Sequence, residues 1–272
     1  MKISFSNTLL SILFLSLFIS LISCSDDNEV TADPTAGLQK ITSGYALGAG
    51  ARVEVWSKEG LVAGINRVSL AVYDSVSNKR ITDAHIHLNP VMNMMTMSHS
   101  CPVLNPEEDA VNGLFPGEIL FTMPSGDMGS WTLEVKVHNH LADKFGTALF
   151  DIDVKSTTPS QVISFQAASG QRYYLSYLFP KGMKVGVNDF EVIAYTYNDQ
   201  GFIPAETLSI GFAPEMPSMG HGSPNNVNPV YGENGHYKGK ANFTMTGDWR
   251  LNLELKNGET ELGPRYFDVS VN

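Results

Sequence analysis

Methionine and histidine lie close together at two places in the sequence. Residues 92–99 read MNMMTMSH and residues 216–221 read MPSMGH. Both contain the spacing Met-x-x-Met-x-His, formed by Met94, Met97 and His99 and again by Met216, Met219 and His221. Thioether sulfur is a soft donor that suits Cu(I), and imidazole accepts Cu(I), Cu(II) or Zn²⁺. Each turn therefore predicts a soft-metal site, for which Cu(I) is the favoured ion.

Other roles are open to these methionines. In a turn rich in Gly, Pro and Ser they could form an adaptable contact surface for a protein, or they could simply pack. Met123 and Met245 each follow the second methionine of a turn by 26 residues and could return as a third sulfur ligand. They share a strand face with Phe121 and Phe243, however, so a position in the core competes with a ligand role.

Further side chains near the first turn could extend a metal site. A thiolate at Cys101 would strengthen Cu(I) binding, and the alternative is a small buried side chain. His85 and His87 share one face of a predicted strand, as do His138 and His140. If these two faces meet, the four imidazole rings could bind Cu(II) or Zn²⁺. The alternative is that the histidines lie on a solvent-exposed face.

Two tryptophans have a similar pair of interpretations. Trp131 and Trp249 align between the two copies once a small insertion is allowed. The face of an indole ring can contact a cation, so each could cap a bound Cu(I) ion. A tryptophan in the core of a sandwich is the alternative, and the sequence favours it.

The first residues of the chain predict export and membrane attachment. Lys2 precedes an apolar run over residues 9–22, which has the length of a signal-peptide core. The sequence Leu21-Ile22-Ser23-Cys24 then resembles the bacterial lipobox, which places lipid on Cys24. The alternative is an ordinary secretory signal with an incidental cysteine.

The predicted location follows from this signal. Residues 1–23 are interpreted as a lipoprotein signal peptide and residues 24–37 as an acidic tether. We therefore expect a protein that is lipid-anchored in the bacterial cell envelope. The outer membrane is favoured, and the acidic tether suggests display on the outer surface.

Charge and motif content exclude several classes of function. The net charge is −10, which argues against a nucleic-acid partner because phosphate binding needs clustered Lys and Arg. The sequence contains no Gly-x-Ser-x-Gly, His-Glu-x-x-His or phosphate-binding loop. We therefore predict a protein that is not an enzyme.

The two halves of the chain align on a common offset. Short matches 122 residues apart join 64–66 to 186–188, 71–73 to 193–195, 94–99 to 216–221, 113–117 to 235–239, and 121–123 to 243–245. Such a repeat indicates a duplicated domain. We place the first copy at 38–156 and the second at 160–272, with a polar linker between them.

Each half has the pattern of short β-strands. Residues 68–74, 131–137, 190–197 and 249–255 alternate in polarity and are rich in β-branched and aromatic side chains. Gly, Pro, Asn and Asp clusters separate the segments, and no amphipathic helix is evident. The predicted fold is all-β, with two tandem immunoglobulin-like β-sandwich domains.

The second half resembles a known family. Its Met-Pro-x-Met-x-His turn at 216–221, Gly-x-Tyr-x-Gly at 235–239, Phe-x-Met at 243–245 and Gly-x-Trp at 247–249 are similar to the YtkA-like domain, which is related to FixH-like domains. The resemblance covers most of residues 160–272. The first copy departs from it, because its turn lacks the proline and carries extra methionines at Met92 and Met95.

The resemblance also suggests a biological setting. This family is similar to extracytoplasmic modules near copper handling and oxidase assembly, so it implies a copper chaperone or buffer. The expected partners are the membrane, through lipid, and a metal-handling or assembly protein of the envelope. The alternatives are a non-enzymatic protein-interaction module and a surface lipoprotein for adhesion or glycan binding.

Overall fold

The computed structural model describes residues 33–272. The predicted signal peptide, the lipidation at Cys24 and the tether as far as residue 32 lie outside this range. Pro34–Asn272 form one compact unit. Within the described range, no helix has both the length and the apolar character needed to cross a membrane.

The first half of the described chain forms ten strands. They are β1 (Gln39–Ala46), β2 (Ala51–Ser57), β3 (Gly64–Asp74), β4 (Arg80–Ile81), β5 (Ala84–Asn93), β6 (Ser98–His99), β7 (Val103–Leu104), β8 (Phe115–Phe121), β9 (Ser130–Asn139) and β10 (Lys144–Ile152). The strand order is β1-β2-β3-β8-β7 in one sheet, with β4 beside β3, and β10-β9-β5-β6 in the other.

The second half repeats this arrangement strand for strand. Its elements are β11 (Val162–Gln166), β12 (Arg172–Leu178), β13 (Gly186–Asn198), β14 (Gly201–Pro204), β15 (Leu208–Met216), β16 (His221–Gly222), β17 (Val227–Tyr231), β18 (His236–Phe243), β19 (Gly247–Asn257) and β20 (Thr260–Val271). The sheets run β11-β12-β13-β18-β17, with β14 beside β13, and β16-β15-β19-β20. The fold is all-β with two immunoglobulin-like sandwiches, as the strand pattern predicted.

Each sandwich buries one face of both of its sheets. Side chains of β9 alternate between buried and more exposed positions along Ser130–Asn139, which is the period-two pattern of a strand with one apolar face. Trp131 and Trp249 are each only 1 % exposed and belong to two separate cores. This burial supports the core role that the sequence favoured for both tryptophans.

The repeated Gly-x-Asn motif has a structural role in both copies. Asn66 accepts a hydrogen bond from the Val62 amide at 2.9 Å and donates to the Val62 carbonyl at 2.7 Å. Asn188 makes the equivalent bonds to the Lys184 amide at 3.0 Å and carbonyl at 2.8 Å. Both asparagines are buried, so these bonds satisfy backbone groups that would otherwise lack partners.

The two sandwiches share an apolar contact. Leu120 of β8 packs with Ile193 and Tyr195 of β13 in a small buried cluster between the domains. Beside it, the Ile65 amide donates to the Ser176 hydroxyl at 3.2 Å. The two sandwiches therefore contact each other directly as well as through the linker.

A buried ionic cluster lies at the same interface. His236 of β18 contacts Glu118 of the first sandwich through Nε2 at 2.8 Å and Glu191 through Nδ1 at 2.7 Å. Arg67 forms an ion pair with the same Glu118 at 2.8 Å. Burial lowers the pKa of His236, but its hydrogen bonds to the two carboxylates outweigh this effect and raise it to about 9. The imidazolium therefore bridges two carboxylates near neutral pH.

Candidate metal site

Both predicted turns are hairpins in which a buried methionine lies opposite the histidine. Met92 pairs with His99 and also with Trp131 on the neighbouring strand. Met216 pairs with His221 in the same way. Met92 and Met216 are 0 % and 3 % exposed, so both belong to the cores.

This register corrects one detail of the sequence alignment. The residue equivalent to Met216 is Met92 and not Met94, because each of the two pairs with the histidine of its turn. The first turn is longer by two residues, since Met92 and His99 are separated by seven positions and Met216 and His221 by five. Met94 lies inside this longer loop and packs partly against the first core.

The remaining turn methionines point outward. Met97 and Met219 are both 61 % exposed, and Met95 is fully exposed. The two methionines of each predicted Met-x-x-Met motif are thus in different environments, one packed against or within the core and one exposed. The residues of each turn therefore do not direct two sulfur atoms toward a common metal position.

The first copy joins its histidine to Met123, which follows the end of β8. The Nε2 atom of His99 lies 3.3 Å from the Sδ atom of Met123. The edge of the His99 ring meets Trp131, with ring centroids 5.7 Å apart and planes at 90°. Trp131 donates through Nε1 to the carbonyl of Met123 at 2.9 Å, which holds this strand end beside the histidine.

The hydrogen bonds of His99 decide which ring nitrogen has a free lone pair. Its Nδ1 atom lies 2.9 Å from the carbonyl oxygen of Ser100, which can only accept, so Nδ1 carries a proton. In the neutral ring, Nε2 then presents a lone pair to the Met123 sulfur. Two electron-pair donors that face each other favour a cation between them. A carbonyl that accepts a hydrogen bond from the other ring nitrogen is the usual orienting partner of a metal-ligating histidine.

The second copy repeats most of this arrangement. The His221 ring meets Trp249 edge-on, at 5.8 Å and 86°. Trp249 donates through Nε1 to the carbonyl of Met245 at 3.1 Å. Met245 is 38 % exposed, and among residues 33–272 neither ring nitrogen of His221 has a hydrogen-bond partner. Both donors are therefore accessible to an ion.

Cys101 is in a different environment from these donors. Its side chain is 3 % exposed and packs in the first core. Burial raises the pKa of the thiol well above its ordinary value, so the thiolate that binds metal is disfavoured. This supports the alternative of a small buried side chain and weakens the expectation that Cys101 is a ligand.

The histidine pairs of the first sandwich do meet across two strands. His85 lies directly opposite His138, and His87 lies opposite Lys136. Each ring has its own polar partner, however, and for His85 this is Glu108 at 3.3 Å. No group of three or more His, Cys, Asp or Glu side chains within residues 33–272 has the geometry to hold a metal ion. The arrangement thus gives no support to a site at His85 and His87.

A cleft of about 840 Å³ opens beside the His99–Met123 pair. One wall comes from the first sandwich and includes His87, His99 and Met123; the other comes from the second sandwich and includes Arg172, Tyr174, Tyr197 and Phe202. The sequence did not predict this second wall. Its residues lie in ordinary alternating strands, and only the contact between the sandwiches turns them toward the first copy.

The class of protein is thus an all-β protein with two immunoglobulin-like sandwiches in tandem. Residues 171–254 match the model of the YtkA-like family, so this part of the second sandwich is similar to a YtkA-like domain. This agrees with the resemblance found in the turn and strand motifs of the second half. The first sandwich repeats the topology of the second.

The other comparisons give no closer relationship. No curated protein matches the sequence significantly. Domains 5–6 of the S-layer protein SbsC share 12 % identity over 86 % of this chain and 97 % of that chain, with a TM-score of 0.30. The Escherichia coli adhesin FdeC shares 13 % identity over 83 % of this chain and 66 % of that chain, with a TM-score of 0.25. Similarity at this level assigns no function.

Proposed function

We propose that the protein is a copper-binding protein of the bacterial cell envelope, anchored by lipid on Cys24. The observation that carries this proposal is the His99 Nε2 atom, which lies 3.3 Å from the Met123 Sδ atom. An imidazole and a thioether form a neutral donor set that suits Cu(I). As a chaperone or buffer, the protein would pass the ion to a metal-handling or assembly protein of the envelope.

The surroundings of the pair support this assignment. The Ser100 carbonyl orients the imidazole, and Trp131 fixes the backbone of Met123 through its indole hydrogen bond. Both donors lie beside an open cleft, which gives an ion and a receiving protein a route to the site. In the second copy, His221 and Met245 stand in the same relation to Trp249 and would form a second site.

An anaerobic Cu(I) competition titration of residues 25–272 tests the proposal. We expect two ions for each chain. The double variant His99→Ala with Met123→Leu should lose one ion, and His221→Ala with Met245→Leu should lose the other. At each site we expect affinity to fall by at least about tenfold, because even outer partners of metal ligands contribute that much.

Met183→Leu serves as a matched control. This methionine packs against the second core and has no histidine partner in the predicted site, so its variant should bind copper as the wild type does. Stoichiometry near zero for the wild type would refute the proposal. Unchanged affinity in both double variants would refute the assignment of these ligands.

A second candidate function is a methionine-rich protein contact. It is favoured by the exposure of Met95, Met97 and Met219, which present flexible apolar side chains at the turns. Replacing Met97 and Met219 by Leu should preserve capture of an envelope partner, whereas replacing them by Ala should weaken it. A pull-down in which the Leu and Ala variants behave alike would count against this function.

A further inference from the structure

The wall of the cleft contributed by the second sandwich carries a cluster of aromatic rings. Phe202 meets Tyr174 at a centroid distance of 5.1 Å and Tyr197 at 5.0 Å, both in edge-to-face geometry. Tyr197 is 52 % exposed, so much of its surface remains open to the solvent. Open aromatic surface of this kind packs well against the apolar face of a ring-shaped ligand.

A free positive charge lies next to these rings. Arg172 begins β12, directly opposite Tyr197, and lines the same cleft. Among residues 33–272 its guanidinium group has neither an ion-pair nor a hydrogen-bond partner. By contrast, Arg67 and Arg250 are paired with Glu118 and Asp268.

The guanidinium group of Arg172 is open to an anionic ligand. Arg172 is exposed and lines the cleft, and no carboxylate among residues 33–272 forms an ion pair with it. The guanidinium fork matches a carboxylate in a bidentate arrangement. The first wall adds polar groups for the remainder of a ligand, since Asn89 and Asn105 line the same space.

We propose that the cleft binds a small carboxylate whose acid group is attached to a ring with an apolar face. Arg172 binds the carboxylate, and Tyr197 and Phe202 pack against the ring. Two kinds of molecule share this chemistry, namely an acidic sugar and an aromatic acid. The proposal does not depend on copper, because none of these three side chains belongs to the candidate metal site.

Isothermal titration calorimetry on the metal-free, full-length chain in nonionic detergent tests the proposal. The probes are glucuronate, glucose and benzoate. We expect at least one of the two acids to bind. The acid that binds more tightly identifies the kind of ligand. Glucose should bind at least about tenfold more weakly than glucuronate, because it lacks the charge-assisted bond.

Two results in this titration would overturn the proposal. The first is the absence of heat from both acids at millimolar concentration. The second is binding of glucose as strong as that of glucuronate, which would remove any role for the carboxylate.

Variants distinguish binding of the acid in the cleft from binding of copper at the candidate metal site. Arg172→Gln and Tyr197→Ala should each weaken binding of the acid, the first by at least about tenfold. Arg265→Gln is the matched control, because this half-buried arginine of the same sandwich contacts Phe165 and lies outside the cleft lining. It should bind the acid normally.

The double variant His99→Ala with Met123→Leu should also keep the acid ligand while it loses copper at the first site. Loss of acid binding in this double variant, or unchanged binding in Arg172→Gln, would contradict the proposed site. Failure of the copper titration alone would leave the acid-binding result standing, so the two proposals fail separately.

Discussion

At the scale of single residues, methionines with the same spacing have different roles. Met216 is buried beneath its turn, while Met219, three residues later, is 61 % exposed. In the first copy the buried position belongs to Met92. The methionine whose sulfur contacts a histidine nitrogen is Met123, which lies two residues beyond the end of β8 and not on the strand that the sequence predicted. The candidate ligand pair therefore joins the turn to the segment that follows β8.

This difference predicts separate effects on stability. Met216→Ala should lower the free energy of unfolding by about 2–5 kcal/mol, because it leaves a cavity in the second core. Met219→Ala should change it by no more than about 0.5 kcal/mol, because this side chain is exposed. Urea denaturation followed by fluorescence would measure both changes.

Met216→Leu provides a volume-conserving control and should cost less than about 1.5 kcal/mol. Equal stability of the Met216→Ala and Met219→Ala variants would show that the buried position of Met216 is wrong.

The sequence predicted the donor types at the site but not which donors meet. His99 and Met123 were both among the predicted ligands, and their pairing depends on the register of β5, β6 and β8. Met94 was aligned with Met216 because a two-residue difference in loop length is invisible to spacing alone. The burial of Cys101 also depends on packing from both sheets, so sequence left it undecided between ligand and core.

At the scale of elements, the duplication could be recognised in the sequence because its repeated motifs have fixed structural roles. Gly64 and Gly186 begin β3 and β13 with positive φ of 135° and 101°, a region that favours glycine. They pair with Phe121 and Phe243 in the same register. Strand alternation then predicted the sandwich class. The short strands β6 and β16 were not predicted, because two-residue strands carry no periodicity.

A repeated glycine gives a test at this scale. A Cβ atom at Gly239 would lie 2.5 Å from the Val227 carbonyl oxygen, a backbone atom that cannot move away alone. At Gly117, the nearest atoms are the flexible Leu88 Cδ1 at 3.0 Å and the Leu104 carbonyl oxygen at 3.1 Å, so the closest backbone atom is farther away than at Gly239. Gly239→Ala should therefore destabilise the protein by about 1–3 kcal/mol, as overpacking does.

Gly117→Ala is the matched comparison from the first copy and should cost less than Gly239→Ala. Thermal unfolding of the two variants under one condition would measure the order. The reverse order would contradict the close approach of β17 to β18 at this glycine.

At the scale of the whole molecule, the ionic cluster at the interface links stability to pH. The pKa of His236 is raised from 6.5 to about 9 in the folded protein. A group with a raised folded pKa stabilises the fold fully below its unfolded pKa, and this contribution is lost as pH rises through the folded value. Stability should therefore fall between about pH 6.5 and pH 9.

Urea unfolding at several pH values up to 9 would measure this slope. Higher pH would add the ionisation of Tyr177, Tyr195 and Tyr237, whose pKa values burial raises to about 12. The His236→Gln variant should flatten the decline over this window. An equally steep decline in the variant would assign the pH dependence to other groups.

The contact between the sandwiches was not predicted, because its members look like ordinary strand residues. Leu120, Ile193 and Tyr195 alternate with core positions along their strands, and nothing in their spacing marks a second buried face. The sequence indicated a polar linker between the two domains and gave no sign of a contact between them. The structure instead shows an interface, and this interface forms the cleft.

The same apolar contact limits how the protein can be divided. A fragment that ends at the linker would leave Leu120 uncovered, and the complementary fragment would leave Ile193 and Tyr195 uncovered. Each half, expressed alone, would therefore expose an apolar surface and tend to self-associate. Mixing the two halves should restore solubility, because each would shield the face of the other.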